Sequence, residues 1–139
     1  MQAKEYLRQI ETMGTKLGIL RGRIKELQED AIGVSVSNDG VRVQTSRSGD
    51  KLSDAVIKYV ELEALASKQE VELQELKSRI TSELFNLTNP QHIKVLYKRY
   101  VDCKCFELIA VEMSMSLRNV LRIHGYALQE FTQCSQCCH

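Results

Sequence analysis

Two long registers of apolar residues constrain what this chain can fold into more than any other feature. Between Ala3 and Ala31 the apolar positions step by three and four without a break: Ala3, Tyr6, Ile10, Met13, Leu17, Leu20, Ile24, Leu27 and Ala31. A spacing that averages 3.5 residues puts all of them on one seam of an α-helix, predicted to be about 43 Å long. A second register runs Leu52, Ala55, Tyr59, Leu62, Ala66, Gln69, Leu73, Leu76, Ile80, Glu83, Leu87 and is polar only at Gln69 and Glu83. It predicts a helix of about 54 Å, with Asp50 as N-cap and Asp54 in the first turn. Stripes this narrow need a partner. They can close as an antiparallel hairpin within the chain, pair between chains, or do both. Gly14, Gly18 and Gly22 lie four apart in the first helix, which suits local looseness or a close helix approach.

The segment 33–51 breaks the pattern. It is rich in Gly, Ser, Asn and Asp, with short apolar alternation at Val34, Val36, Val41 and Val43. It reads as a long connection, with a short hairpin around Asn38-Asp39-Gly40 or, as favoured here, as a mostly disordered loop. With one Pro, seven Gly and 6% aromatic residues in 139, the chain lacks the punctuation of a many-stranded β fold. The expected class is all-α. The formal net charge is +1, so no global field points to nucleic acid or membrane. No apolar run reaches the roughly 18–20 residues of a membrane span. Met1-Gln2-Ala3-Lys4-Glu5 lacks a signal peptide's apolar stretch, and a cytoplasmic protein is expected.

Asn89-Pro90 ends the second helix and starts another, Asn as N-cap and Pro at the first helical position. Three shorter helices are predicted near 90–101, 105–113 and 116–132. The separators Asp102-Cys103-Lys104 and Ser114-Met115 are too tight for antiparallel packing, so neighbouring helices cross steeply. Phe106, Ile109, Ala110 and Met113 form one helical face, and Ala110 is small where the next helix must cross. Ser116 is placed to cap the last helix, whose inner face is Val120, Ile123, Ala127 and Leu128. Leu117, Arg118, Asn119, Leu121 and Arg122 then point outwards. Arg and Asn are the side chains that pair bidentately with guanine and adenine edges in a major groove, and Leu121 suits a thymine methyl or a protein partner. Residues 88–139 carry six basic and four acidic side chains.

The order Ile93-x-x-Leu96-x-x-Arg99-Tyr100-Val101, Phe106-x-x-Ile109-Ala110-x-x-Met113, Ser116, Val120, Ile123, Ala127-Leu128 resembles region four of sigma factors. The long N-terminal helix and the stretch V-x-x-S-x-x-x-D-K-L-x-D-A-V from Val43 to Val56 resemble, over nearly the whole chain, small sigma-region-four-like regulators. These are encoded by phages and prophages of Gram-positive bacteria and are of the ArpU-like and RinA-like kind. The chain departs from the sigma pattern where Cys103 and Ser114 replace usual glycines and Cys105 replaces a Ser or Thr cap. Ser114 must be left-handed if the turn is standard. The two registers give a coiled-coil helical hairpin over 1–88 with a flexible loop at 33–51, the resemblance implies a three-helix helix-turn-helix domain over 89–132, and a Cys-rich tail follows over 133–139. The resemblance also implies double-stranded DNA as partner, RNA polymerase contact, and accessory regulation, since no counterpart of the sigma region that opens the −10 element is present. Arg118, Asn119 and Arg122 would read bases or phosphates. Lys98, Arg99 and Lys104 would position the backbone. Each of these charges also has an ordinary reading as a solvated helix charge, and Arg99 as an ion-pair partner of Glu107 or Glu112. A homodimer through the heptad helices would double the DNA contacts.

Five cysteines in a cytoplasmic chain point to thiols or metal rather than disulfides. Cys134, Cys137, Cys138 and His139 have a zinc-like spacing, with Cys103 and Cys105 as further ligands if the tail folds back; exposed free thiols are the plainer reading. His92 and His124 read as surface or packing residues, His124 also as a phosphate contact. No nucleophile–base pair, phosphate loop or H-E-x-x-H motif is present, so no enzyme and no cofactor are expected. The competing class is a coiled-coil interaction protein whose C-terminal helices touch no DNA.

Overall fold

The computed structural model describes residues 2–36 and 46–137, with side chains over 2–30 and 54–136. The fold is all-α. Helix α1 spans Ala3–Val36, α2 Ser46–Leu84, α3 Pro90–Leu96, α4 Phe106–Glu112 and α5 Leu117–Cys137, and a π-helical turn, Tyr97–Val101, continues α3. Among the described residues no helix is long and apolar enough to cross a membrane.

Both long helices follow their registers. Every seam position with a described side chain is buried or half-buried, including Gln69 and Glu83. The helices also run further than expected. Residues 33–36 continue α1 and residues 46–51 belong to α2, so Asp50 lies within a helix instead of capping one. No proline interrupts either stretch, and extending an existing helix costs far less than nucleating one. The hairpin reading around Asn38-Asp39-Gly40 falls outside the described residues. A Cβ added at Gly14, Gly18 or Gly22 would meet nothing within 4 Å. These glycines therefore mark no close helix approach.

The chain divides into two compact units, Thr15–Glu72 on one hand and Met1–Gly14 with Leu73–His139 on the other. The divide falls inside both long helices. In the first unit α1 and α2 run antiparallel. Arg21 donates to Glu63 (3.4 Å) and Glu70 (2.5 Å), and Gln28, a little further along α1, donates to Tyr59 (2.7 Å), further back on α2. Ile24 and Ala66 are buried there.

In the second unit the N-terminal turns of α1 join the end of α2 and the C-terminal helices. Leu7, Ile10, Ile80 and Leu84 are almost completely enclosed. Tyr6 donates its hydroxyl to Glu83 (3.0 Å) and stacks its ring on Phe131 of α5, centroids 6.4 Å apart. Asn89 caps α3 as expected: its side chain accepts from the Gln91 N–H (3.0 Å), and Pro90 opens the helix. Glu130 of α5 accepts from both the N–H (2.7 Å) and the hydroxyl (2.6 Å) of Thr88 and is hydrogen-bonded to His92. These bonds tie α5 to the connection between α2 and α3. The Thr88 hydroxyl first, then its N–H and His92, hold the Glu130 carboxyl at about pKa 2.

Candidate nucleic-acid interface

The turn that joins α4 to α5 fixes the geometry of this region. Helix α4 ends with the N–H of Met115 on the Ala110 carbonyl (2.9 Å) and that of Ser114 on the Val111 carbonyl (3.2 Å). Ser114 between them has φ 53°. This is the Schellman arrangement, in which a left-handed residue after the helix lets two trailing N–H groups satisfy its last carbonyls. Met115 then packs on the cluster of Val95, Ile109, Ala110, Val120 and Ile123, with Phe106 and Met113. Ser116 caps α5, its Oγ accepting from the Asn119 N–H (3.2 Å). Cys103, the other residue that stands where the sigma pattern has glycine, is also left-handed, with φ 55°. Cys105 precedes α4 without a side-chain cap bond.

The inner face of α5 is the expected one. Val120, Ile123 and Ala127 are buried and Leu128 is half-buried, while Leu117, Arg118, Leu121 and Arg122 are exposed. Asn119 is half-buried and already engaged: Arg122 donates to its Oδ1 (2.9 Å), and its Nδ2 donates to the Met115 sulfur (3.5 Å). Arg118 makes no hydrogen bond or ion pair with another described residue. The first two turns of α5 thus present two arginines, an amide and two leucines on one accessible surface.

The lysines assigned to phosphate contact are held elsewhere. Lys98 reaches Glu112 at 2.6 Å and Lys104 reaches it at 2.8 Å, with Asp102 3.9 Å from the same ammonium. The bond to Lys104, then that to Lys98, lowers the Glu112 pKa, and Glu112 raises that of Lys104. Arg99 pairs with neither Glu107 nor Glu112. It donates to the Lys104 carbonyl (3.1 Å) and lies over the rings of Phe106 (5.0 Å) and Tyr100 (5.9 Å). An arginine over two rings gains cation–π contact in place of an ion pair. His124, also offered as a phosphate contact, is engaged as well. It packs edge-on to Phe106 and its Nε2 lies 2.9 Å from the Tyr100 hydroxyl. Burial foremost, then Lys4 and Arg99, brings its pKa down to about 4.

Helix α5 runs on through the expected tail to Cys137, since no glycine or proline follows Leu128 to stop it. Thr132 and Ser135 return their hydroxyls to the Leu128 and Phe131 carbonyls. Cys138 and His139 lie outside the described residues, and among the described residues no three His, Cys, Asp or Glu side chains gather as a metal site. Cys103 and Cys105 are exposed and free, and Cys134 is free and half-buried. Burial raises the Cys103 thiol above its usual pKa. The His92–Glu130–Thr88 anchor and the Arg122–Asn119 pair were missed in the sequence; three-residue spacing on a helix was the available signal for the second. Comparison of the chain with family models, with curated proteins and with solved structures returned no match.

Proposed function

We propose that the chain is a sequence-specific DNA-binding regulator of transcription, of phage or prophage origin and similar to sigma region four. In this reading it acts in the cytoplasm, without catalytic chemistry. Helices α4 and α5 act as a helix-turn-helix, and α5 enters the major groove of double-stranded DNA. One observation carries the reading: a tight turn with a left-handed Ser114 crosses α5 over Ala110 and leaves Leu117, Arg118, Leu121 and Arg122 exposed on its first two turns. Arg118 and Arg122 read base edges or phosphates, and Asn119 joins them by exchanging Arg122 and Met115 for an adenine edge. Lys98 and Lys104 contribute only after leaving Glu112. RNA polymerase contact belongs to the same reading.

The test is fluorescence-anisotropy titration of DNA from the protein's own upstream region, with scrambled DNA alongside, over a salt series. Replacing Arg118 and Arg122 together by alanine is expected to weaken specific binding about 30-fold or more, with the melting temperature unchanged. Equal affinity of the double variant and the parent removes α5 from the interface. The rival reading, an interaction protein that touches no DNA, draws on the engagement of Lys98 and Lys104 with Glu112. It is supported if neither DNA is bound at low salt.

A further inference from the structure

The face of α2 opposite its seam carries a second apolar stripe. Val56, Ile57, Val60, Ala64 and Val71 fall within about 100° of arc, centred roughly 150° from Ala55, Tyr59, Ala66 and Leu73. All are exposed, Val56, Ile57, Val60 and Val71 by 54, 52, 58 and 58%. Lys68 and Glu61 line one edge of the stripe. Both are exposed and neither joins an ion pair among the described residues. Along the helix Glu61 comes first and Lys68 two turns later.

That order is self-complementary in one direction only. Two α2 helices packed antiparallel bring the same edge of each together in reverse. Glu61 then meets Lys68 of the second copy, twice over by symmetry. The two-fold axis falls near residue 65, where Ala64 and Ser67 are small enough for close approach. A parallel pairing would set Glu61 towards the opposite edge, where Glu63 and Glu70 already bind Arg21. We propose that two copies of the chain dimerise through this outer face of α2, antiparallel, with the valine–isoleucine stripe as its apolar centre. The seam is closed within the chain by α1, so dimerisation uses the opposite side of the helix. Burial of the stripe drives association, and the charge order sets direction and partner. The surface lies within the Thr15–Glu72 unit, and the inference stands whether or not α5 reads DNA.

Sedimentation velocity of the full chain, without DNA and over a concentration series, tests it. The parent is expected to show a concentration-dependent dimer. Val60→Asp is expected to remain monomeric over the same range, with helicity by circular dichroism unchanged. Glu61→Lys and Lys68→Glu, both at exposed positions that the fold does not need, should each weaken the dimer roughly tenfold. Mixing those two variants should restore it, because every Glu61–Lys68 contact then regains opposite charges. A parent that stays monomeric throughout overturns the proposal. So does a dimer that ignores Val60→Asp, or a pair of charge variants that fail to rescue each other.

Discussion

The imidazole of His124 sits against Phe106 and Tyr100 with its pKa at about 4. In the unfolded chain it takes up a proton near its usual value of 6.5. Between these two values the unfolded chain binds more protons than the folded one. Stability is therefore full above about pH 6.5 and falls as the pH drops towards 4. The ring is only half enclosed, so solvent screening leaves the effect at about 1–2 kcal/mol. His124→Phe keeps a ring there and removes the titration. Urea unfolding of parent and variant at about pH 7.5 and pH 4.5 should show a smaller loss in the variant; equal losses would place the pH dependence elsewhere. Glu130 acts in a lower window: stability present above about pH 4.5 is lost towards pH 2. The sequence placed His124 on the right helix but left it as a surface or packing residue; its spacing from Val120 and Ala127 was the signal for the inner face. The binding of Lys98 and Lys104 by Glu112 was not legible, because the partners are 14 and 8 residues apart and sit on different elements.

Helices were legible where one partner decides their burial. The three-four steps of α1 and α2 encode a two-helix seam, and each described seam position is withdrawn from solvent. Leu7 and Leu84 lie off that register and are fully buried nonetheless. In their unit α1 and α2 share a core with the C-terminal helices, and a pairwise seam pattern carries no mark for a further neighbour. The turn after α4 was legible as a cost: a serine stands where φ is 53°. Glycine relieves about 1–2 kcal/mol of left-handed strain and returns about 0.4–1 kcal/mol through greater freedom when unfolded. Ser114→Gly should therefore raise the urea midpoint, by roughly 0.5–1 kcal/mol of stability. A lower midpoint would mean that the serine hydroxyl contributes more than the strain removes.

At the scale of the whole chain, the unit that holds α5 draws on both ends of the sequence: Met1–Gly14 packs with Leu73–His139, and Thr15–Glu72 forms the other unit. Leu7 is completely buried and Tyr6 stacks on Phe131. Leu7→Ala should cost about 3–5 kcal/mol, read by urea unfolding as a lower midpoint of the transition that includes α5. A loss below 1 kcal/mol would show that residues 1–14 are dispensable to that unit. The same arrangement orders events in time. On the ribosome the first turns of α1 emerge early and wait with Leu7 and Ile10 uncovered, because the rest of their unit, Leu73–His139, is translated in the second half of the chain. A chain halted before residue 131 lacks the ring on which Tyr6 stacks. Only translation through α5 gives the core both of its halves, so truncated products stay open to proteolysis and none carries a rigid copy of the exposed arginine surface.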